Sequence, residues 1–261
     1  MSPLTESGGP ETPMQAQRPG REIRSGNERV LIVVPAYNEA GSLPNLLRTI
    51  HAECPAYDVV VIDDGSTDST RRCVADMSRV ISLPTNLGIG GAVQTGLQVA
   101  FREDYDIAVQ VDGDGQHPPR EVHRLIEAIH ESGYDMVVGS RFRGEGGFKS
   151  TAARRMGIRF FSILLSAICG AKITDPTSGF RAVNRRGIRL LAHNYSEDFP
   201  EVEALVVARR AGLRIGEIPV EMSERTAGTS SIGSIKSAIY MIKVPLAILM
   251  TLLRKPEAES R

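Results

Sequence analysis

Apolar residues first gather at Val30-Leu31-Ile32-Val33-Val34. An unbroken run of that length reads as a strand buried on both faces. Pro44, behind Ser42 as a cap, opens a helix. Val59-Val60-Val61-Ile62 is a second strand, followed by a helix capped by Ser66, and Val80-Ile81-Ser82-Leu83 is a short third strand. A glycine-rich turn at Gly88 to Gly91 opens a helix reaching to about Arg102. Ile107 to Val111 is a fourth strand, Pro118-Pro119 start a helix that stops at Gly133, and Met136 to Gly139 is a fifth strand. This alternation predicts an α/β domain with a mainly parallel central sheet flanked by helices.

The pattern then changes. Residues 156–169 read as a mostly apolar helix, and Asp175 to Arg181 as a polar loop entering a short strand. Glu201 and Glu203 begin an amphipathic helix ending at Gly212, and Leu213 to Met222 is a strand. Residues 232–253 are a long helix-like stretch, broken by Pro245. Residues 1–27 are rich in Pro, Gly, Ser, Glu and Gln and are expected to be a disordered tail. The expected division is therefore a tail over 1–27, a catalytic domain over 28–231, and an amphipathic helix and tail over 232–261.

Composition narrows this only slightly. The 261 residues are 41% hydrophobic and 24% charged with a net charge of zero, so nothing draws the chain toward nucleic acid. Of the 31 basic residues five are Lys and 26 Arg. Base composition of the gene accounts for that bias, while individual arginines remain suited to forked phosphate recognition. Cys54, Cys73 and Cys169 have no ligand-like spacing and fit a reducing compartment. No apolar signal core follows Met1, so a cytoplasmic setting is expected.

In open α/β sheets ligands sit beyond the carboxyl ends of the strands. Here three such ends are polar or acidic: Tyr37-Asn38-Glu39, Asp63-Asp64-Gly65-Ser66 and Asp112-Gly113-Asp114-Gly115-Gln116. Asp112 and Asp114, two apart on an extended segment, point the same way. Such a pair suits Mg²⁺ or Mn²⁺ held partly by a diphosphate, and Gln116 adds a carbonyl. D-x-D by itself also reads as a solvated turn; its place at an apolar strand's end between two other acidic ends selects the metal. Asp63 and Asp64 stand where an acidic residue meets a nucleoside hydroxyl or base edge, with Tyr37 and Glu39 placed for similar work. Gly88 and Gly90 lack the third glycine of a dinucleotide fingerprint, Val93 standing there, and suit close backbone approach to a ligand or a tight turn. His117 lacks the spaced partner of a zinc site.

These residues resemble the family 2 glycosyltransferases with the GT-A fold, and within them the dolichyl-phosphate mannose synthase branch that glycosylates polyprenyl phosphates. The motifs are PAYNE (35–39), DDGSTD (63–68), NLGIGGA (86–92), DGDGQHPP (112–119), GSRF (139–142), DPTSGFRA (175–182) and RTAGTSSI (225–232). The resemblance implies that Pro35, Tyr37, Glu39 and Asp64 hold the nucleoside of a GDP- or UDP-linked sugar, and that Asp112, Asp114 and Gln116 hold metal and diphosphate. It implies that Arg141, Arg154 or Arg155, and Arg225 receive the acceptor phosphate. Ser178 would line the acceptor side, and Glu203 would begin a helix beside the site. Inversion of configuration is also implied. Many members of that family carry transmembrane helices after the catalytic domain; the corresponding stretch here is expected to be one amphipathic helix.

A phosphate acceptor is already anionic, so arginines that position it matter more than a strong base. A hydroxyl acceptor would need a base, with Glu203 the first candidate. A nucleotidyltransferase would want a Lys-bearing phosphate loop after the first strand, and a catalytically dead sugar-nucleotide scaffold would not need Asp112 and Asp114 intact. The uninterrupted apolar part of the C-terminal stretch, Val244 to Leu253, is about half the roughly 20 residues needed to span a bilayer. It fits an interfacial helix peripheral to the inner face of the cytoplasmic membrane, a core helix, or a homo-oligomer contact. A small integral membrane protein supplying the anchor is a further expected partner.

Overall fold

The computed structural model describes residues 28–142, 152–196, 198–221 and 234–253. The expected tail over 1–27 and Arg225 fall outside these, as do the side chains of Arg154 and Arg155.

Among the described residues seven strands form one sheet: β1 (Val30–Ala36), β2 (Asp58–Asp63), β3 (Arg79–Ser82), β4 (Ile107–Gln110), β5 (Met136–Ser140), β6 (Arg181–Asn184) and β7 (Ile215–Pro219). Their order is β3-β2-β1-β4-β6-β5-β7. β1 is parallel to β2 and β4, and β7 to β5, whereas β6 runs antiparallel to both its neighbours. The mainly parallel sheet is as the apolar runs imply. The reversed strand has a consequence for the site. Parallel strands present their carboxyl ends on one rim, and β6 presents its amino end there, so the loop leading into Arg181 joins that rim.

β1 is buried along its whole length because both faces of the sheet are covered. Leu31 and Val33 pack in one cluster with α3 (Gly88–Arg102), α5 (Ala152–Cys169), α6 (Arg185–Leu191), α7 (Pro200–Arg210) and α8 (Ser234–Leu253). Ile32 and Val34 pack in the other with α1 (Leu43–Glu53) and α4 (Glu121–Ser132). Alternating side chains thus serve opposite layers. Each such aliphatic side chain, fully buried, contributes about 1.5–3 kcal/mol.

Several local expectations change. Ser42 precedes α1 but makes no cap hydrogen bond; its hydroxyl donates instead to Glu39 Oε2 (2.5 Å) and the Gly113 carbonyl (3.0 Å), joining two rim turns. Ser66 does not cap a helix. The short α2 (Thr70–Val74) starts later, because residues 66–68 turn back onto Asn38, whose amide oxygen accepts from the Thr67 backbone N–H at 2.9 Å. Asn38 holds the left-handed backbone this needs, φ +56. α4 stops at Gly133 in the left-handed conformation, as expected.

α8 is continuous through Pro245. The proline removes one helical hydrogen bond, but Val244 and Ile248 are buried in the core and the Thr251 hydroxyl bonds Glu203 at 3.0 Å, which keeps the two halves aligned. Among the described residues no helix is long and apolar enough to cross a membrane.

Candidate active site

The parallel strand ends open onto a cleft of about 310 Å³ lined by Pro35, Ala36, Tyr37, Glu39, Asp64, Ile89, Ala92, Asp112, Gly113 and Asp114. Turns after β1, β2 and β4 therefore meet at one place. Tyr37 is half exposed there and offers a face and a hydroxyl. Asp64 is buried and accepts the Leu87 backbone N–H at 2.7 Å. Burial raises its pKa above the usual carboxylate range, against the lowering effect of the backbone N–H bonds from Leu87 and Gly88. Asp63 faces its own turn, accepting the Ser66 N–H at 3.1 Å, and does not line the cleft.

The D-x-D segment is a turn rather than an extended strand. The Gly115 N–H closes it on the Asp112 carbonyl at 3.4 Å, with Gly115 at φ +75. Asp112 and Asp114 reach the same cleft by that turn. Asp114 is nearly buried and accepts the Gln116 N–H at 3.0 Å; Gln116 sits behind it and is not among the lining residues. Asp112 accepts from the Gln110 amide at 2.9 Å. His117 lies beneath, fully buried and stacked on Phe180 with centroids 4.8 Å apart. Burial depresses its pKa, outweighing the nearby carboxylates. Among the described residues no three His, Cys, Asp or Glu side chains form a ready cage for a metal. Two hard carboxylates at an open cleft instead fit a cation such as Mg²⁺ or Mn²⁺ that keeps waters and completes its shell with substrate phosphates.

α3 begins at Gly88, whose φ of +81 puts its backbone in the left-handed region. Its first turn does meet the cleft, but through Ile89 and Ala92 rather than Gly88 or Gly90. The glycines shape the turn and the neighbouring side chains face the space.

Beside the cleft, the ends of β5, β6 and β7 carry a second group of charges that are not among its lining residues. Arg141 does not present an open fork. Its Nε and Nη2 both donate to Asp175 at 2.7 Å, and Nη2 also reaches the Thr177 hydroxyl at 3.0 Å. Burial opposes the charge, but these bonds and the Asp175 charge hold the guanidinium above its ordinary pKa. Asp175 is itself latched. Its backbone N–H and that of Thr174 donate to the buried Glu217 carboxylate at 2.7–2.9 Å. The Ser178 hydroxyl donates to the Gly139 carbonyl at 2.7 Å, stitching this loop to the end of β5.

Glu203 is not among the residues that line the cleft. Its two carboxylate oxygens accept from Ser196 (2.7 Å) and from Thr251 of α8 (3.0 Å), so it joins the seam between α7 and α8 and not the cleft. The acid of α7 that feels the site is Glu201. Burial raises its pKa first, and it interacts electrostatically with Arg181, Asp112 and Arg141. Sequence reading missed Arg181, a buried arginine donating to the carbonyls of Ser178 (2.7 Å), Glu201 (2.6 Å) and Pro176 (3.2 Å). The signal for it was a charge at the start of a short, mostly buried strand, a position whose register pairs it with Gln110.

An acidic cleft on the carboxyl rim of a sheet in this order defines a GT-A transferase architecture, and comparison with known proteins agrees. The profile of glycosyl transferase family 2 matches residues 31–191. The chain belongs to that family and is a glycosyltransferase. It is 30% identical to the polyprenol monophosphomannose synthase of Mycolicibacterium smegmatis over 83% of this chain and 86% of that protein. It is 34% identical to the undecaprenyl-phosphate mannosyltransferase of Micrococcus luteus over 77% and 86%. The Methanococcus voltae UDP-N-acetylglucosamine–dolichyl-phosphate N-acetylglucosaminyltransferase is 30% identical over 74% and 84%. Among solved structures, glucosyl-3-phosphoglycerate synthase of Mycobacterium tuberculosis with Mn²⁺ and UDP-glucose superposes with a TM-score of 0.65 at 21% identity, over 85% of this chain and 79% of that one. That likeness establishes the shared fold.

Proposed function

We propose that this enzyme moves a hexose or N-acetylhexosamine from a GDP- or UDP-linked donor to a polyprenyl phosphate, with inversion, for cell-envelope glycan assembly or glycosylation. The observation that carries the reading is the convergence of Asp64, Asp112 and Asp114 with Tyr37 and Glu39 on one cleft. The names of the three similar sequences, which carry polyprenol, dolichyl-phosphate and undecaprenyl-phosphate, support the acceptor.

In this reading Pro35, Tyr37, Glu39 and Asp64 receive the nucleoside, and Asp112 and Asp114 hold Mg²⁺ or Mn²⁺ against the diphosphate. The bound cation supplies charge stabilisation to the departing diphosphate. An oxygen of the acceptor phosphate attacks the anomeric carbon as the bond to the diphosphate breaks. The attacking group carries its own negative charge, so the chain needs no strong base, and the commitment of Glu203 to Ser196 and Thr251 fits that economy. Arg141 is a fixed cation on the acceptor wall, set by Asp175. Arg154, Arg155 and Arg225 remain proposed phosphate contacts.

The acceptor headgroup lies at a membrane surface, and α8 supports a peripheral attachment there. Leu246, Leu249, Met250 and Leu253 are each more than half exposed and recur at helical spacing. On the opposite side Val244 and Ile248 are buried. Co-sedimentation with anionic liposomes, lost on removing residues 232–261, is the expected result; a protein that stays in the supernatant at low salt contradicts it. For the reaction, the test is a panel of GDP- and UDP-sugars with Mn²⁺ and a short polyprenyl phosphate, read by mass spectrometry. One glycosyl phosphate product is expected. Transfer only to free sugars or peptides would overturn the acceptor assignment.

A further inference from the structure

His117 is placed to do more than fill space under the cleft. Its ring is fully buried and clamped against Phe180 at a 22° interplanar angle, so its two nitrogens have fixed directions. Nδ1 accepts the backbone N–H of Asp112 at 3.2 Å. An accepting Nδ1 leaves the proton of the neutral ring on Nε2. That nitrogen stands 3.9 Å from Asp112 Oδ2, beyond hydrogen-bond reach, so the ring grips Asp112 by its backbone alone. Two features close on the carboxylate. Gln110 Nε2 donates to Oδ1 at 2.9 Å. Gly179 presses so near that a Cβ there would lie 2.7 Å from Oδ2 and 2.9 Å from Oδ1. Asp112 therefore has its backbone held by the ring, a donor on one carboxylate oxygen, and a bare backbone along its side.

We propose that His117 is a positioning residue for Asp112. Through Nδ1 it holds the backbone at the start of the D-x-D turn and so sets where the Asp112 carboxylate starts from, with Gly179 leaving the room the carboxylate requires. The inference rests on the reading of Asp112 as a metal-holding residue. A buried acceptor on the backbone of a ligating residue fixes its direction without competing for the cation, and outer-shell partners of this kind change metal affinity by roughly 10–100-fold.

The two ring nitrogens are separable by substitution. His117→Asn keeps an acceptor where Nδ1 stands and removes the Nε2 donor. His117→Gln places an amide N–H where Nε2 stands and removes the near acceptor. Binding is read by the EPR signal of free Mn²⁺, titrated into the full chain alone and with UDP or GDP, alongside thermal unfolding. His117→Gln, which loses the acceptor, is expected to weaken Mn²⁺ binding by about tenfold or more while shifting the unfolding midpoint little. His117→Asn, which keeps it, should retain most of that affinity. Gly179→Ala, which crowds the same carboxylate from the loop leading into β6, should weaken Mn²⁺ binding too, and it keeps the test intact if a His117 variant does not fold. Asp112→Asn is the control for the underlying reading. Mn²⁺ binding unchanged in Asp112→Asn would remove the metal role itself. Binding lost in Asp112→Asn but parental in folded His117→Gln and Gly179→Ala would overturn the positioning role alone.

Discussion

On the β1–β2–β4 side of the cleft, Asp64, Asp112 and Asp114 stand in turns at strand ends and line open space. On the β5–β6–β7 side the charges are just as numerous but are engaged with protein: Arg141 with Asp175, Glu217 with the backbone at Thr174 and Asp175, Arg181 with three carbonyls. The first side keeps its acidic groups at the edge of the cavity, where a ligand can complete them. The second is a preassembled frame in which the charges are already engaged with one another and with the backbone. Ligand-completed sites and self-completed walls answer differently to substitution, and that difference can be measured.

The largest expected effect is on the open side. Asp114→Asn should lower transfer by roughly 10³-fold, about 4 kcal/mol in the barrier, because an amide is a poor ligand for a hard cation. Unfolding should change little. Excess EDTA should mimic it, and turnover that survives EDTA would remove the metal from the account. The next effect belongs to the closed side and appears first in stability. Asp175→Asn leaves the buried Arg141 without its counter-charge (the side chains are 11% and 0% exposed), and loss of one partner of a buried pair costs about 3–5 kcal/mol. Urea unfolding measures this; a cost below about 1 kcal/mol would mean that the wall is not self-supporting.

The same contrast explains what could be read from sequence. Apolar runs at Val30–Val34 and Val59–Ile62 announce buried parallel strands, and acidic residues directly after them fall on the ligand rim by topology alone. The acidic cleft was therefore legible. Arg141 and Glu203 were recognisable as charges near the site, but what they touch depends on residues 34 and 48 positions away. Nothing local in the sequence encodes that pairing. Arg181 was hidden because a buried arginine satisfied by carbonyls has no sequence partner to betray it. The run through Pro245 was misread as a break because local propensity for proline is strong and the packing of α8 on α7 is invisible before folding.

Smaller effects sharpen the contrast. Tyr37→Ala, on the open side, should raise the donor KM by about tenfold, near the 0.5–1.5 kcal/mol an aromatic contact supplies, and leave the acceptor KM near its starting value. Equal rises in both would place Tyr37 outside the donor site. Glu203→Gln should be the mildest. It keeps its shape between Ser196 and Thr251, and kcat should fall by less than about fivefold, since a net neutral hydrogen bond is worth about 1 kcal/mol. A loss of about 100-fold would reinstate Glu203 as a base, which a general base supplies at that scale.

The most direct test is a crystal structure with Mn²⁺ and the donor's nucleoside diphosphate, located by the anomalous signal of the metal. The account predicts one Mn²⁺ about 2.1 Å from carboxylate oxygens of Asp112 and Asp114, with phosphate oxygens and water completing the octahedron. It also predicts the nucleoside between Tyr37 and Asp64 and the Arg141–Asp175 pair unbroken. A metal bound elsewhere, or a diphosphate that displaces Asp175 to lie on Arg141, would contradict it.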